Sequence, residues 1–398
     1  MSERVLSRLP EGARAVAWLG ILVGLLAFWV SLPPLKVREP IVPILIGLAG
    51  VGIGIGALRR GGARRLAWGA VVIGVLGIGL GYLATRSSVA HLDQVIVWSA
   101  LIAAMLRYAT PLAFAAMGGI FSERSGVVNI GLEGMMLSGA FFGILGADKL
   151  NSWPLGLLCA ALAGGAFALI HAFFAIHLRA DQIVGGTAIN FLALGVTGYL
   201  FIDIYGGEGT PPDIPDIPDV HLNFLEDWYF VGPVLGQLNL MIWLAFLTIL
   251  ATWVVLFKTP VGLRIRAVGE HPRAADTVGI SVYKTRYAAV VLSGVLAALG
   301  GAYLSIGFVN SFNQNMTVGK GFIALAAVIF GNWRPWGAAA AALLFGFSSA
   351  LAQRLPAYSE SAAVLFQALP YVLTLIAVAG VIGRSIPPAA VGRPYKKQ

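Results

Sequence analysis

The sequence predicts an all-α polytopic integral membrane protein with about ten to twelve transmembrane or re-entrant helices. Three observations lead there. Hydrophobic residues make up 58% of the 398 positions and charged residues only 11%, whereas a soluble domain carries roughly 25% charge. The mean hydropathy is +0.83. The apolar residues are gathered in blocks close to the ~20 residues that a bilayer crossing needs. Such a chain buries its surface in lipid, which excludes a cytosolic enzyme, a disulfide scaffold and a disordered tail. The lone cysteine, Cys159, lies in the apolar run Leu157 to Ala163 and can close no internal disulfide or thiolate cluster.

In chain order the blocks lie at about 15–32, 41–58, 66–84, 94–119, 131–147, 154–177, 187–203, 234–257, 285–308, 319–332, 336–353 and 362–383. The first follows Arg4, Arg8 and Arg14 but runs into Ser31-Leu32-Pro33-Pro34 with no small-x-small cleavage pattern, so it reads as a retained span. Block 94–119 contains Pro111 and the Gly118-Gly119 pair, and block 319–332 is short, so either reads as a broken or re-entrant helix. With the N-terminus inside, the inner gaps hold twenty Lys and Arg and the outer gaps six, with Arg107 inside a span. Both termini are therefore expected in the cytoplasm. The net charge of +9 follows this orientation pattern and calls for no nucleic acid. Arg107 is open to two readings, a costly functional cation in mid-span or a helix-end residue that snorkels.

The expected organisation is an N-terminal extension with three transmembrane helices (1–93), a core (94–384) and a cytoplasmic tail (385–398). Within the core, an outer acidic loop occupies 203–233 and a long inner loop 258–286. The outer loop holds Glu208, Asp213, Asp216, Asp219, Glu226 and Asp227, with a stiff, proline-punctuated run from Pro211 to Asp219, and is either a solvated loop or a docking surface for a basic partner. In the inner loop Gly269 is expected to break the chain. Pro272 then suits the first turn of a new helix with Glu270 or His271 just ahead of it, and Gly279 stops that helix. The result is a short helix along the membrane face with Ala274 and Ala275 exposed, able to seat in a groove on another protein.

Two further segments are polar among apolar blocks. In the first, Gly118, Gly119, Gly126, Gly131 and Gly134 alternate with Ser122, Glu123, Arg124, Ser125 and Asn129. Irregular backbone at membrane depth is tolerated only inside protein or beside a wet cavity, and discontinuous helices there build sites for polar solutes. Asn129 offers a donor and an acceptor, and Glu133 is the acid closest to the apolar blocks. A plain cytoplasmic turn with a helix cap is the other reading. The second segment runs from Phe308 through Asn310 and Asn313 to Thr317, amides flanked by aromatics that could pair with and stack on a base, or a loop of turn formers. Gly131 to Gly143 and Gly319 to Gly331 have equal length, end in Phe-Gly and run in opposite predicted directions, as an inverted repeat requires. Asn190, after Thr187, suits a bond to a neighbouring helix. The glycines of 52–56 and 74–81 read as close helix packing. No Gly-x4-Gly-Lys-Ser/Thr, His-Glu-x-x-His or Gly-x-Ser-x-Gly pattern occurs.

Gly262 to Ile280 resembles the coupling loop of permease subunits of ATP-binding-cassette importers, in the branched-chain amino acid, simple sugar and nucleoside permease family. Ala109 to Leu137 and Gly319 to Gly331 are similar to further stretches of the same family, closest to its nucleoside and simple-sugar branch. The resemblance implies a permease for nucleosides, or alternatively simple sugars, working by alternating access in the cell membrane without bond chemistry of its own. An ion-coupled secondary transporter is the rival. The resemblance also implies a second permease chain, ATPase subunits on the cytoplasmic side that use ATP and Mg, and an external substrate-binding lipoprotein. No cofactor is expected in this chain. The solute path would touch Asn129, Glu133, Asn190, Phe308, Asn310, Asn313 and Phe322. ATPase coupling would fall to Arg264, Arg266, Gly269, Glu270, His271, Pro272, Ala274, Ala275, Asp276 and Gly279.

Overall fold

A computed structural model of the protein describes residues 11–31, 37–60, 64–85, 97–226, 228, 231–354, 368 and 386–397. The predicted block at 362–383 falls outside the described residues, residue 368 excepted. The helices open with α1 (Glu11–Trp29), α2 (Ile41–Arg60) and α3 (Arg64–Thr85). Next come α4 (Trp98–Arg124), α5 (Leu132–Lys149), α6 (Trp153–Ala172, carried on through Phe173–His177) and α7 (Gln182–Tyr205). A small module holds β1 (Asp219–His221), α8 (Asn223–Glu226) and β2 (Gln237–Asn239), with β1 and β2 antiparallel and Val220 opposite Leu238. The remainder is α9 (Leu240–Lys258), α10 (Pro260–Glu270), α11 (Pro272–Thr277), α12 (Val282–Ala302, carried on through Tyr303–Val309), α13 (Lys320–Phe330) and α14 (Pro335–Arg354).

Among the described residues, eight helices are long and apolar enough to cross a bilayer. Of the two blocks expected to break, only one does. α4 is continuous for 27 residues through Pro111, because a proline inside a packed bundle is supported by its neighbours. α13 has 11 residues, about 16 Å at 1.5 Å per residue, roughly half the ~30 Å hydrocarbon layer. Side chains set several helix starts. Asp181 accepts from the amides of Ile183 and Val184, Asn239 from Met241, and Thr259 from Gly262, the usual way to satisfy orphan first-turn donors.

The described residues fall into two compact units, one drawn from 1–101 and 349–383, the other from 102–348 and 384–398. In the first, α1, α2 and α3 meet through glycines: Gly24 lies against Gly74, and Gly50 against Gly24. Without a hydrophobic drive between helices in lipid, such close backbone approach is what holds them. Among the described residues a Cβ on Gly52, Gly56 or Gly79 would meet nothing, so these glycines take no part in that packing. In the second unit α5 and α12 pack closely, with Gly139 against Ala298 and Gly301 against Met136. Phe114, Phe141 and Tyr303 fill the core beside them.

Candidate solute pathway and coupling surface

After α4 the chain is not helical again until Leu132, and every polar backbone group in that gap needs a partner. Side chains from three other helices supply several of them. Gln182 of α7 accepts from the Val128 amide at 2.8 Å, and His171 of α6 meets the Val128 carbonyl at 3.0 Å. A carbonyl can only accept, so His171 Nε2 carries the proton. Asn190 of α7 donates to the Ile130 carbonyl at 3.1 Å and accepts from the Gly134 amide at 2.8 Å, so it caps α5. Arg286 of α12 donates to the Ser125 carbonyl at 3.2 Å. The Asn129 amide donates to Ser293 of α12 at 3.0 Å, and Asn129 is fully buried. His171, Gln182, Ser293 and Arg286 were missed by the sequence reading. Their only signal was a polar residue standing alone in, or at the edge of, an apolar block.

Glu133, 8% exposed, joins α5 to α13. Its carboxylate accepts from the Thr317 hydroxyl at 2.5 Å, the Gly319 amide at 2.8 Å and the Gly321 amide at 2.6 Å. The latter two sit at the start of α13, where orphan donors and the helix dipole favour a negative charge. From this junction the two helices diverge. The far part of α5 packs with Leu106 and Phe114 of α4, whereas α13 leads to Trp333, which donates to Glu123 and accepts from Arg124 at the other end of α4. Two helices thus begin next to each other deep in the bundle, each after an unwound stretch.

The amide and aromatic positions of the second segment lie apart from this junction. Phe308 is 37% exposed and rests edge-on to Tyr108, with ring centroids 5.4 Å apart. Asn310 takes a left-handed conformation, φ 49°, and donates to the Ile214 carbonyl at 3.2 Å. Asn313 is exposed, and Phe322 is 48% exposed on α13. The acidic loop folds on this end with Ile214 and Ile217 buried and Asp213, Asp216 and Asp219 outward, the three-residue period of an extended proline-rich run. An apolar cavity of about 250 Å³ between α4, α9 and α14 is lined by residues such as Ile249, Trp336 and Leu343. Its one polar residue, Thr110, donates to the Leu106 carbonyl. That chemistry suits an acyl chain rather than a polar solute.

The inner loop forms two helices, and the break differs from the expected one. Gly269 remains in the last turn of α10, and the chain turns at His271, which precedes Pro272 at the start of α11. Gly269 serves close approach instead: a Cβ there would overlap the Arg124 carbonyl oxygen. Gly279 follows α11 with φ +85°, a left-handed stop that glycine adopts without strain. Ala274 is exposed as expected, but Ala275 is 3% exposed and packs against Val268, Val282 and Tyr395. Arg264, Glu270 and His271 are exposed, and the Arg266 guanidinium lies over the Phe257 ring at 5.0 Å. Asp276 accepts from the Tyr395 hydroxyl at 2.8 Å. Burial first, and then this carboxylate, hold the Tyr395 phenol above its usual range, so it stays a donor.

Comparison with known proteins agrees with this architecture. Residues 101–378 match the family described as branched-chain amino acid transport system / permease component. The guanosine ABC transporter permease protein NupQ of Bacillus subtilis is 46% identical over 326 residues, covering 77% of this chain and 99% of that protein. The nucleoside ABC transporter permease protein NupC of Lactococcus lactis is 41% identical over 307 residues, covering 75% of this chain and 96% of that protein. A second Bacillus subtilis protein, the guanosine ABC transporter permease protein NupP, is 27% identical over 253 residues, covering 61% of this chain and 70% of that protein. No solved structure matches. With a family match across most of its length, the chain belongs to the branched-chain amino acid transport system permease component family.

Proposed function

We propose that this multi-pass membrane protein is a permease subunit of an ATP-driven importer for nucleosides. The observation that carries the reading is the 46% identity to a guanosine permease along 99% of that protein. NupC, also named for nucleosides, matches at 41%, which makes a simple-sugar cargo less favoured. Bacillus subtilis has two guanosine permeases similar to this chain, NupQ and NupP, which supports a second, non-identical permease as partner. ATPase subunits bind below at α10 and α11, using ATP and Mg, and an external lipoprotein delivers the solute. Both termini face the cytoplasm, as the Lys and Arg distribution favours.

In this reading the solute touches the exposed side chains Phe308, Asn313 and Phe322, with Asn310 beside them. Asn129, Glu133 and Asn190 work one step back and hold the broken helices in place. Closure of the ATPase dimer pushes α11, through the exposed Arg264, Glu270, His271 and Ala274, and tips the bundle between outward-open and inward-open. The test is uptake of labelled guanosine into liposomes holding this chain, its partner permease and the ATPase, with the substrate-binding lipoprotein supplied outside. Uptake that requires ATP and all subunits is expected. Ion-driven uptake by the chain alone would overturn the reading.

A further inference from the structure

We propose that the C-terminal tail, 386–397, is a tie that carries the motion of α11 directly to the unwound segment between α4 and α5. The proposal rests on the importer reading above, and it makes Tyr395, Gly392 and Arg286 positioning residues for coupling.

Chain ends are poorly ordered unless something holds them, and this one is held at five places. The Ile386 amide donates to Asn332, in the turn after α13, at 3.0 Å. The Ala389 amide donates to Glu270 at 3.1 Å and the Ala390 amide to the Gly269 carbonyl at 2.9 Å, both at the end of α10. The Gly392 amide donates to the Gly126 carbonyl at 3.1 Å. The Arg393 carbonyl accepts from Arg286 of α12 at 3.1 Å. Tyr395 reaches Asp276 on α11 at 2.8 Å.

Two geometric facts turn these bonds into a route. Arg286 is buried and donates both to the Arg393 carbonyl and to the Ser125 carbonyl, so one guanidinium joins the tail to the start of the unwound segment. Gly126, at φ +94°, has no room for a side chain: a Cβ would lie 2.8 Å from Arg286 Nη2 and 3.2 Å from the Ala390 carbonyl. Meanwhile α11 has only six residues, too few to be stable alone. It rests through Ala275 on Val268, Val282 and Tyr395. Two residues after Gly126, Val128 is gripped by His171 and Gln182, and Asn129 by Ser293. A displacement of α11 therefore reaches the broken helix through Tyr395, Gly392 and Gly126 as well as through the covalent chain.

The experiment uses the assembled transporter in liposomes and reads nucleoside moved per ATP hydrolysed. The variants are a deletion of residues 386–398 and the point variant Tyr395→Phe, which keeps the ring against Tyr283 and removes the donor to Asp276. Tyr395→Phe should lower the transport-to-hydrolysis ratio by about tenfold, the factor that one hydrogen bond to a charged acceptor corresponds to. Its ATP hydrolysis and subunit co-purification should stay near wild type, and its unfolding midpoint should fall by no more than about 3 °C. The deletion should lower the ratio further. If it fails to assemble, Tyr395→Phe still decides. An unchanged ratio in an assembled Tyr395→Phe transporter overturns the tie. Failure of the ATPase to co-purify with the wild-type chain would instead overturn the importer reading on which it rests.

Discussion

Replacing Glu133 with alanine tests whether the junction between α5 and α13 holds as the geometry says. Three donors converge on one buried carboxylate, at 2.5, 2.8 and 2.6 Å. In Glu133→Ala the Thr317 hydroxyl can rotate to another acceptor, but the Gly319 and Gly321 amides are fixed by the backbone. Each buried donor left without a partner costs about 1–3 kcal/mol, and the two are neighbours that share whatever relief relaxation gives. The net loss is therefore about 3 kcal/mol. A unit the size of residues 102–348 has an unfolding entropy of about 0.5 kcal/mol per degree. The midpoint should then fall by about 6 °C. Glu133→Gln keeps the acceptor for Thr317 and Gly319 and turns its amide NH2 toward the Gly321 donor, so it should lose roughly half as much. Thermal unfolding of the purified, detergent-solubilised protein, followed by tryptophan fluorescence, measures both. A Glu133→Ala midpoint within about 1 °C of wild type would refute the reasoning, because α13 would then have some other anchor for its first turn.

Two further substitutions probe neighbouring positions. Gly269→Val would drive a side chain into the Arg124 carbonyl, whose carbon lies only 2.8 Å from a Cβ at that position. Overpacking of this kind costs about 1–3 kcal/mol, and ATP-dependent uptake should drop about tenfold while the chain still inserts in the membrane. Asn190→Leu removes both the acceptor for Gly134 and the donor to Ile130, so the midpoint should fall by about 4 °C, corresponding to roughly 2 kcal/mol. Asn190→Asp, which keeps the acceptor alone, should recover about half of that loss.

The spans and the punctuation of the inner loop were legible in the sequence because both are local. Apolar blocks mark helices, Pro272 opens one and Gly279 closes it. The departures came wherever a distant part of the chain decided the outcome. Gly269 stays helical because its missing side chain is needed against Arg124, some 145 positions earlier in the chain. Ala275 is buried because Tyr395 covers it, and nothing around residue 275 records where the tail goes. Pro111 lies buried within a continuous α4, where the sequence alone suggested a break. Likewise, Asn129, Glu133 and Asn190 stood out as polar residues in or beside apolar blocks, but their partners did not. His171, Gln182 and Ser293 meet the unwound segment from helices whose pairing no periodicity encodes.

The bundle confines its non-helical backbone at depth to places where side chains can replace the lost helical bonds, and that choice has a mechanical consequence. A hydrogen bond inside a helix is shared by its neighbours and moves only with the whole rod. Beside local backbone turns, 125–131 is held by single side chains from separate helices and 317–321 by the one carboxylate of Glu133, so these bonds can shift without melting a turn. Asn190 grips both the Ile130 carbonyl and the Gly134 amide, while Glu133, one residue before Gly134, grips the start of α13. The start of α5 is therefore clamped from α7 on one side and clamps α13 on the other. Packed interiors tend to have discrete arrangements rather than continuous ones, and a junction held by a few exchangeable side-chain bonds between rigid helices is where a second arrangement costs least. The same side chains that satisfy buried backbone also mark where the bundle can change.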